Sequence, residues 1–433
     1  MRSVFKNGKV RKQCKIYGML SARAHGKHIS FHTPGHKQKG WDITELSYSD
    51  NLSCPRGCIA EAERDIAEIL GAEKSFLLTD GSTSGVLSML HAAKSLGVKR
   101  IAVCEGSHKS VFNGCALLGL TPLTYPRKTN TKIPFLPTMY ALNGEFSEIF
   151  SAADALMITS PDYYGNIADL QAIRRYCDEH NKLLLIDGAH GGHLHFEKEI
   201  YAGTYADMWV DGVHKSLPAF TQGAVVSAKD GKTAEALRKA VDIFRTTSPS
   251  YPIMASVEYA VKYPRNETLE KEAIEFEKAH PRVYFGGDWT KLCAVFGSSA
   301  FAVEKELEQA GIYAEFCDGN ALVFYLSPAT RVQDFRALKK RLSALFEKYP
   351  LEDEGENAPA IFQERSEETE WIETGLAAGR VCANPCGLFP PCTPLVSVGE
   401  VITAEKIRLL LSADNVFGVY ENKILVFKKD EKE

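Results

Sequence analysis

Lys215 stands between His214 and Ser216 in the loop of "DMWVDGVHKSLPAFTQGAVVSA", residues 207–228. Met208, Trp209 and Val210 before it and Ala224, Val225 and Val226 after it set this loop against an apolar core. An ammonium group is costly to take out of water unless it is paired or neutralised, so a lysine here needs a partner or a covalent use. Upstream, Asp187 ends the apolar run "LLLID" and is followed by "GAHGGHLH", which carries His190, His193 and His195. A carboxylate at the end of so apolar a strand also calls for a cationic or hydrogen-bonding partner. His108 follows a third apolar run, "RIAVC", in a position where a histidine is as readily a structural residue. "TDGSTSG", residues 79–85, places Gly81, Ser82 and Thr83 between a strand and a helix. The unpaired N–H groups and dipole of a helix start favour a phosphate, although the same hydroxyls also serve as plain caps. The segment is neither a Walker A loop nor a GxGxxG fingerprint.

One cofactor uses all of these groups. Pyridoxal 5'-phosphate (PLP) needs a lysine for its Schiff base, an acid facing its pyridine nitrogen and an anion site for its phosphate. Lys215, Asp187 and the 79–85 loop supply one of each, and a ring such as that of His108 would stack on the cofactor's face. The competing structural reading is a buried Lys215–Asp187 ion pair.

The elements that must hold these residues alternate between helix and short apolar strand from about residue 60 to 230. "SFLLT", "RIAVC", "ALMITS", "LLLID", "DMWVD" and "GAVVSA" read as strands, with helices such as "DLQAIRRYCDEH" among them. That order indicates an α/β fold with a mostly parallel sheet, whose ligands gather at the carboxyl ends of the strands. After the helix "ETLEKEAIEFEKAH", the segments "AVFGSS", "ALVFYLSP" and "RVQDFRALKKRLSALFEKY" suggest a smaller α+β domain. An acidic stretch, "LEDEGENAPAIFQERSEETEW", reads as a surface segment, and "VFGVYENKILVFKKD" as a closing hairpin. The expected division is an N-terminal arm over 1–58, a large domain over 59–265 and a smaller one over 266–433.

Composition narrows the partners. The 433 residues carry a net charge of −4, with 24% charged and 45% hydrophobic residues, which gives no basic footprint for nucleic acid or an anionic membrane. The apolar runs are strand-sized, and the first twenty residues lack the apolar core of a signal peptide. With eleven cysteines, an odd number, reduced thiols in a cytoplasmic protein are expected. Cys54 with Cys58, and Cys382, Cys386 and Cys392, lack a second zinc knuckle at ordinary spacing, so no metal is expected.

Several segments carry a family resemblance. From about residue 28 to 265, and again near the C-terminus, the chain resembles the Orn/Lys/Arg decarboxylase family, in particular its shorter bacterial members. "FHTPGHKQKG" is similar to the family's H-T-P-G-H-K segment, "LLTDGSTSG" to its phosphate loop and "SHKSVFNG" to the segment of its ring-stacking histidine. "SPDYYG", "IDGAHGGHLHF", "VHKSLPAFTQGA", "TTSPSYPIMAS" and "LFPPCTPLVSVGE" resemble further family segments in the same order. The resemblance implies the PLP-dependent transferase type I fold, that of aspartate aminotransferase. It makes Lys215 the Schiff-base lysine and puts Asp187, His108 and His190 around the ring. It gives Gly81, Ser82, Thr83 and His214 to the phosphate, with Thr247 or Ser248 supplied by a neighbouring subunit of a homodimer or larger assembly. His36 and Glu400 would face the substrate, a basic amino acid (arginine, lysine or ornithine). Departures are Asp80 for the loop asparagine, Gly188 for a glutamate, Gly212 for a serine, and Cys392 and Thr393 for Gly-Ile. These and the short C-terminal part motivate a second reading, a retired PLP-binding structural or regulatory homologue. A third is transamination or elimination on the same fold.

Overall fold

A computed structural model describes residues 4–24, 29–37, 40–125, 147–351, 368–388, 395–396, 398–413 and 415–428. Cys392, Thr393 and most of the acidic stretch lie outside the described residues.

Seven strands form the central sheet: β1 (Lys74–Leu78), β2 (Arg100–Cys104), β3 (Thr121–Tyr125), β4 (Ala155–Thr159), β5 (Leu183–Gly188), β6 (Met208–Asp211) and β7 (Ala224–Ala228). Their order is β1-β7-β6-β5-β4-β2-β3, and β7 is antiparallel to both of its neighbours while the pairs from β6 to β3 are parallel. The run "LLLID" shows why the sequence is apolar without alternation. Leu184 and Ile186 enter the cluster on one face of the sheet and Leu185 the cluster on the other, so both faces are covered. The N-terminal arm shares the first of these clusters, because Phe5, Ile16, Leu20 and Leu52 are buried within it. Buried Glu258 fixes the arm by accepting from the N–H groups of Lys15 (2.6 Å) and Ile16 (2.9 Å).

A second, antiparallel sheet has the order β10-β11-β9-β8, from β8 (Val283–Tyr284), β9 (Lys291–Val295), β10 (Phe316–Cys317) and β11 (Ala321–Tyr325). Leu292, Ala294, Leu322 and Phe324 face a core shared with the helices Glu267–Ala279, Ala300–Gln309 and Val332–Lys348. The alternate residues Cys293 and Val323 face the other way, onto Tyr163 and Tyr164 of the large unit, as strand geometry requires. The C-terminal strands Thr369–Glu373, Val419–Tyr420 and Lys423–Phe427 form a third sheet packed with the helix Ala404–Ser412. Its hairpin turns at Glu421 and Asn422, both at positive φ (48° and 60°), as a two-residue turn between twisted strands prefers. Among the described residues no helix is long and apolar enough to cross a membrane.

Candidate active site

The carboxyl ends of the parallel strands bring the sequence-selected residues together. After β1, Gly81 (φ 82°) turns the chain into the helix Ser82–Ser95, and its N–H donates to the Gln222 carbonyl at 2.9 Å. Ser82 Oγ is buried and, among the described residues, without a hydrogen-bond partner. A buried hydroxyl of this kind is costly unless something else accepts from it or donates to it. At a helix start, a phosphate oxygen is the natural partner. Thr83 is exposed on the same turn.

The departures from the family pattern have local reasons. Asp80 does not burden the anion site, because its Oδ1 accepts from Ser84 Oγ (2.8 Å) and its Oδ2 from the Thr246 N–H (3.0 Å). A Cβ at Gly212 would lie 2.3 Å from the Ala189 carbonyl oxygen and 2.8 Å from Ser82 Oγ, so this chain has no room there for the family's serine. A Cβ at Gly188 would lie 3.4 Å from Asp211 Oδ1. Asp211 is itself buried, its carboxyl pushed up to about 7 by that burial, and a glutamate at 188 would set a second acid beside it.

Asp187 ends β5 with 3% of its surface exposed, and its Oδ1 accepts from the Ala189 N–H at 3.1 Å. Burial raises its carboxyl, and the charge of Lys215 pulls it back down. Lys215 follows β6 on the single turn Val213–Ser216, its N–H bonded to the Gly212 carbonyl at 2.8 Å. Its Nζ lies at hydrogen-bond distance, 3.0 Å, from His190 Nε2; with Lys215 as the ammonium, that nitrogen accepts and the ring's proton sits on Nδ1. That Nδ1 is buried and, among the described residues, unpartnered. Burial, followed by the charges of Lys215 and Lys291, holds His190 well below the ordinary histidine range. His108 caps the helix Lys109–Leu118, its Nδ1 accepting from the Ser110 N–H (3.2 Å), and burial with the Lys215 charge lowers it to about 4. His214 Nδ1 donates to the Gly223 carbonyl at 3.0 Å, and its burial also favours the neutral ring. One acid, one lysine, three neutral imidazoles and an unpartnered hydroxyl at a helix start thus meet at one sheet edge. These residues fit PLP.

The smaller unit, together with Tyr163 of the large one, closes the other side with groups that the sequence does not single out. Tyr163 and Tyr325 set their rings edge-on to His190, at 4.7 Å and 5.5 Å between centroids. Tyr325 also donates its hydroxyl to the Tyr163 carbonyl (3.1 Å). Tyr163 is aimed by buried Asp162, which accepts from the Tyr164 N–H (2.8 Å) and the Asn166 N–H (2.9 Å). The turn leaves no space for a side chain at Gly165, where a Cβ would lie 2.4 Å from the Phe285 carbonyl oxygen. Fully buried Lys291 and Asp288 lie behind His190. Glu315, exposed just before β10, is an acid whose carboxyl partial desolvation raises and the charges of Lys215 and Lys291 lower. The signal for Tyr163 lay inside "SPDYYG"; Lys291, Asp288 and Glu315 carry no local pattern that marks them.

The remaining selected residues lie elsewhere. Thr247 and Ser248 are exposed between the helices Gly231–Phe244 and Tyr251–Val261. His36, on the N-terminal arm, bonds Asp42 at 3.1 Å, and buried Glu400 pairs with Lys406 in the C-terminal unit. Of the other histidines of that segment, His193 bonds Asp288 (2.9 Å) and His195 donates to the Gly192 carbonyl (2.7 Å).

Comparison with known proteins decides the family. The model of the Orn/Lys/Arg decarboxylase major domain matches residues 40–279, more than half of the chain. The chain belongs to the Orn/Lys/Arg decarboxylase family. It is accordingly an amino-acid decarboxylase with a PLP cofactor. It is 27% identical to the uncharacterized protein YaaO of Bacillus subtilis, over 96% of this chain and 99% of that protein. It is 26% identical to an arginine decarboxylase of Halalkalibacterium halodurans, over 89% of this chain and 91% of that one. The constitutive lysine decarboxylase of Escherichia coli shares the fold, with a TM-score of 0.69 at 19% identity over 96% of this chain and 82% of that one. A serine palmitoyltransferase of Sphingomonas wittichii, with a TM-score of 0.53 at 16% identity over 67% of this chain and 76% of that one, shares the fold of the larger part.

Proposed function

We propose that the chain decarboxylates a basic amino acid, arginine first among arginine, lysine and ornithine, using Lys215 as its covalent anchor. The observation that carries this reading is the Lys215 Nζ–His190 Nε2 contact beside buried Asp187. Support for arginine comes from a relative matched over about nine tenths of the chain, which is named for that substrate.

When bound, PLP supplies an electron sink for the pair left behind as CO2 departs. Asp187 would hold a positive charge on the ring nitrogen, and that charge would in turn keep its buried carboxyl ionised. Ser82, Gly81 and His214 would hold the phosphate, and His108 would cover the ring. His190 Nε2, kept unprotonated by its burial and the nearby cations, would orient Lys215 Nζ, and the lysine, once freed as an ammonium, would give a proton to the substrate's α-carbon. Tyr163 and Tyr325, whose rings pack on His190, would limit water's access to it. Exposed Glu315, next to the buried Phe316 that packs with Tyr163 and Tyr325, is the acid we assign to the substrate's distal cation. As in the family, the working unit would be a homodimer, with Thr247 or Ser248 reaching the neighbour's phosphate site.

Product analysis with arginine, lysine and ornithine tests the assignment, with the Lys215→Ala protein as the blank. Release of CO2 and the corresponding amine from one substrate is the expected result. A keto acid would point to transamination, and no turnover of any basic amino acid would point to a retired homologue.

A further inference from the structure

Lys291 is the first residue of β9 and is fully buried, an unusual place for an ammonium group. Its three N–H donors find three acceptors: Thr290 Oγ1 at 2.7 Å, Asp288 Oδ2 at 3.2 Å and the main-chain carbonyl of His190 at 3.2 Å. Asp288 is equally well used. Its Oδ1 accepts from His193 Nε2 (2.9 Å), the Thr290 hydroxyl (2.7 Å) and the Thr290 N–H (2.9 Å). His193 belongs to the same turn of large-unit chain as His190, on the 3-10 helix Gly192–Phe196. The segment from His190 to His193 is therefore held at both ends by the smaller unit. Tyr325, the cross-strand partner of Lys291, completes the grip, with its ring 4.8 Å from Lys291 Nζ and edge-on to His190.

A fully desolvated ion pair of this kind contributes little net stability compared with an apolar replacement, so stability alone does not explain it. We propose that Lys291, clamped by Asp288 and His193, is a positioning residue that fixes His190 against Lys215 and so ties proton handling at Lys215 to the docked smaller unit. Its charge acts in the same direction as its geometry. Lys215, Lys291, His108 and His214 are the charged or titratable groups that oppose a proton on His190, and Tyr163 and Tyr325 are the rings packed on it. With Lys291 in place, the His190 Nε2 lone pair stays available to Lys215 Nζ.

This inference rests on the reading of Lys215 as the PLP anchor, and the test separates the two. The full chain, labelled with 15N in its histidines, would be titrated by NMR with and without PLP, with His190 assigned from a His190→Gln spectrum. Lys291→Met should raise the pH at which His190 takes up a proton by about one unit, the effect of losing one nearby cation. It should also blur the single Nδ1–H tautomer, and Lys291→Arg should restore both. If Lys291→Met does not fold, the Asp288→Asn/Lys291→Met double variant removes the clamp without leaving a buried charge, and it is read by the His190 tautomer alone, because anion and cation are lost together. An unchanged His190 titration and tautomer in a folded variant would overturn the proposal. A missing PLP absorbance band in the wild type would instead overturn the anchor reading.

Discussion

The two walls of the site were built by different rules. The wall from the central sheet carries its chemistry on loops at the carboxyl ends of β1, β2, β5 and β6, in segments punctuated by glycine. The wall from the smaller sheet carries Lys291, fully buried, and Tyr325, partly buried, within strands and paired across β9 and β11. The first wall holds a cofactor and must expose its groups to it. The second holds the first wall in place through Lys291, whose three donors are satisfied within the protein. Substitutions on the first wall should therefore strike cofactor attachment and kcat, and those on the second should leave PLP attached.

The largest effect belongs to Lys215→Ala. Losing anchor and proton carrier together should lower kcat by on the order of 10⁴-fold or more and abolish the bound-cofactor absorbance. Asp187→Asn removes the charge that stabilises the ring nitrogen, and steady-state assays should show kcat down by roughly 10²–10³-fold with the protein still folded. On the opposite wall, Glu315→Gln should raise KM for the basic substrate about tenfold, with a smaller change in kcat and normal PLP absorbance. If Glu315→Gln instead stripped the cofactor, the division between the walls would fail.

Two smaller effects probe the packing. Gly212→Ser brings back the family's residue, yet its Cβ would meet the Ala189 carbonyl. Thermal denaturation should show a loss of about 1–3 kcal/mol, and an undiminished Tm would mean the loop has slack. His108 sits at about 4 in the folded chain against 6.5 for an ordinary histidine. The unfolded chain therefore binds the extra proton between those values. The stability gained from a neutral His108 is complete above about pH 6.5 and is lost as the pH falls towards 4. His108→Gln should flatten the fall in Tm across that window in the cofactor-free protein.

The unequal legibility of the walls follows from the same contrast. "LLLID", "RIAVC" and "GAVVSA" read as strands because burial on both faces makes them continuously apolar, and "TDGSTSG" and "VHKS" interrupt them where a ligand must be met. The closing hairpin was legible too, from short apolar runs, Val419-Tyr420 and Ile424-Leu425-Val426-Phe427, on either side of polar Glu421-Asn422. Lys291 was not. In "GDWTKLCAVF" it looks like a polar residue at a strand start, and only the pairing with Tyr325 and the docking onto His190 give it a role. Glu315 is likewise one acid among many until tertiary structure sets it near two lysines. Gly188 and Gly212 looked like losses in the sequence, and the packing around Ala189 and Asp211 supplies their reason. The short strands β8 and β10, two residues each, were too brief for any periodicity to announce them.

Where PLP attaches is the most direct test of the account. The wild-type protein, loaded with PLP and reduced with borohydride, would be digested and its modified peptide sequenced by mass spectrometry. A pyridoxyl group on Lys215, in the peptide spanning "VDGVHKSLPAF", is the predicted result. A label on Lys291 or another lysine, or none at all, would contradict it.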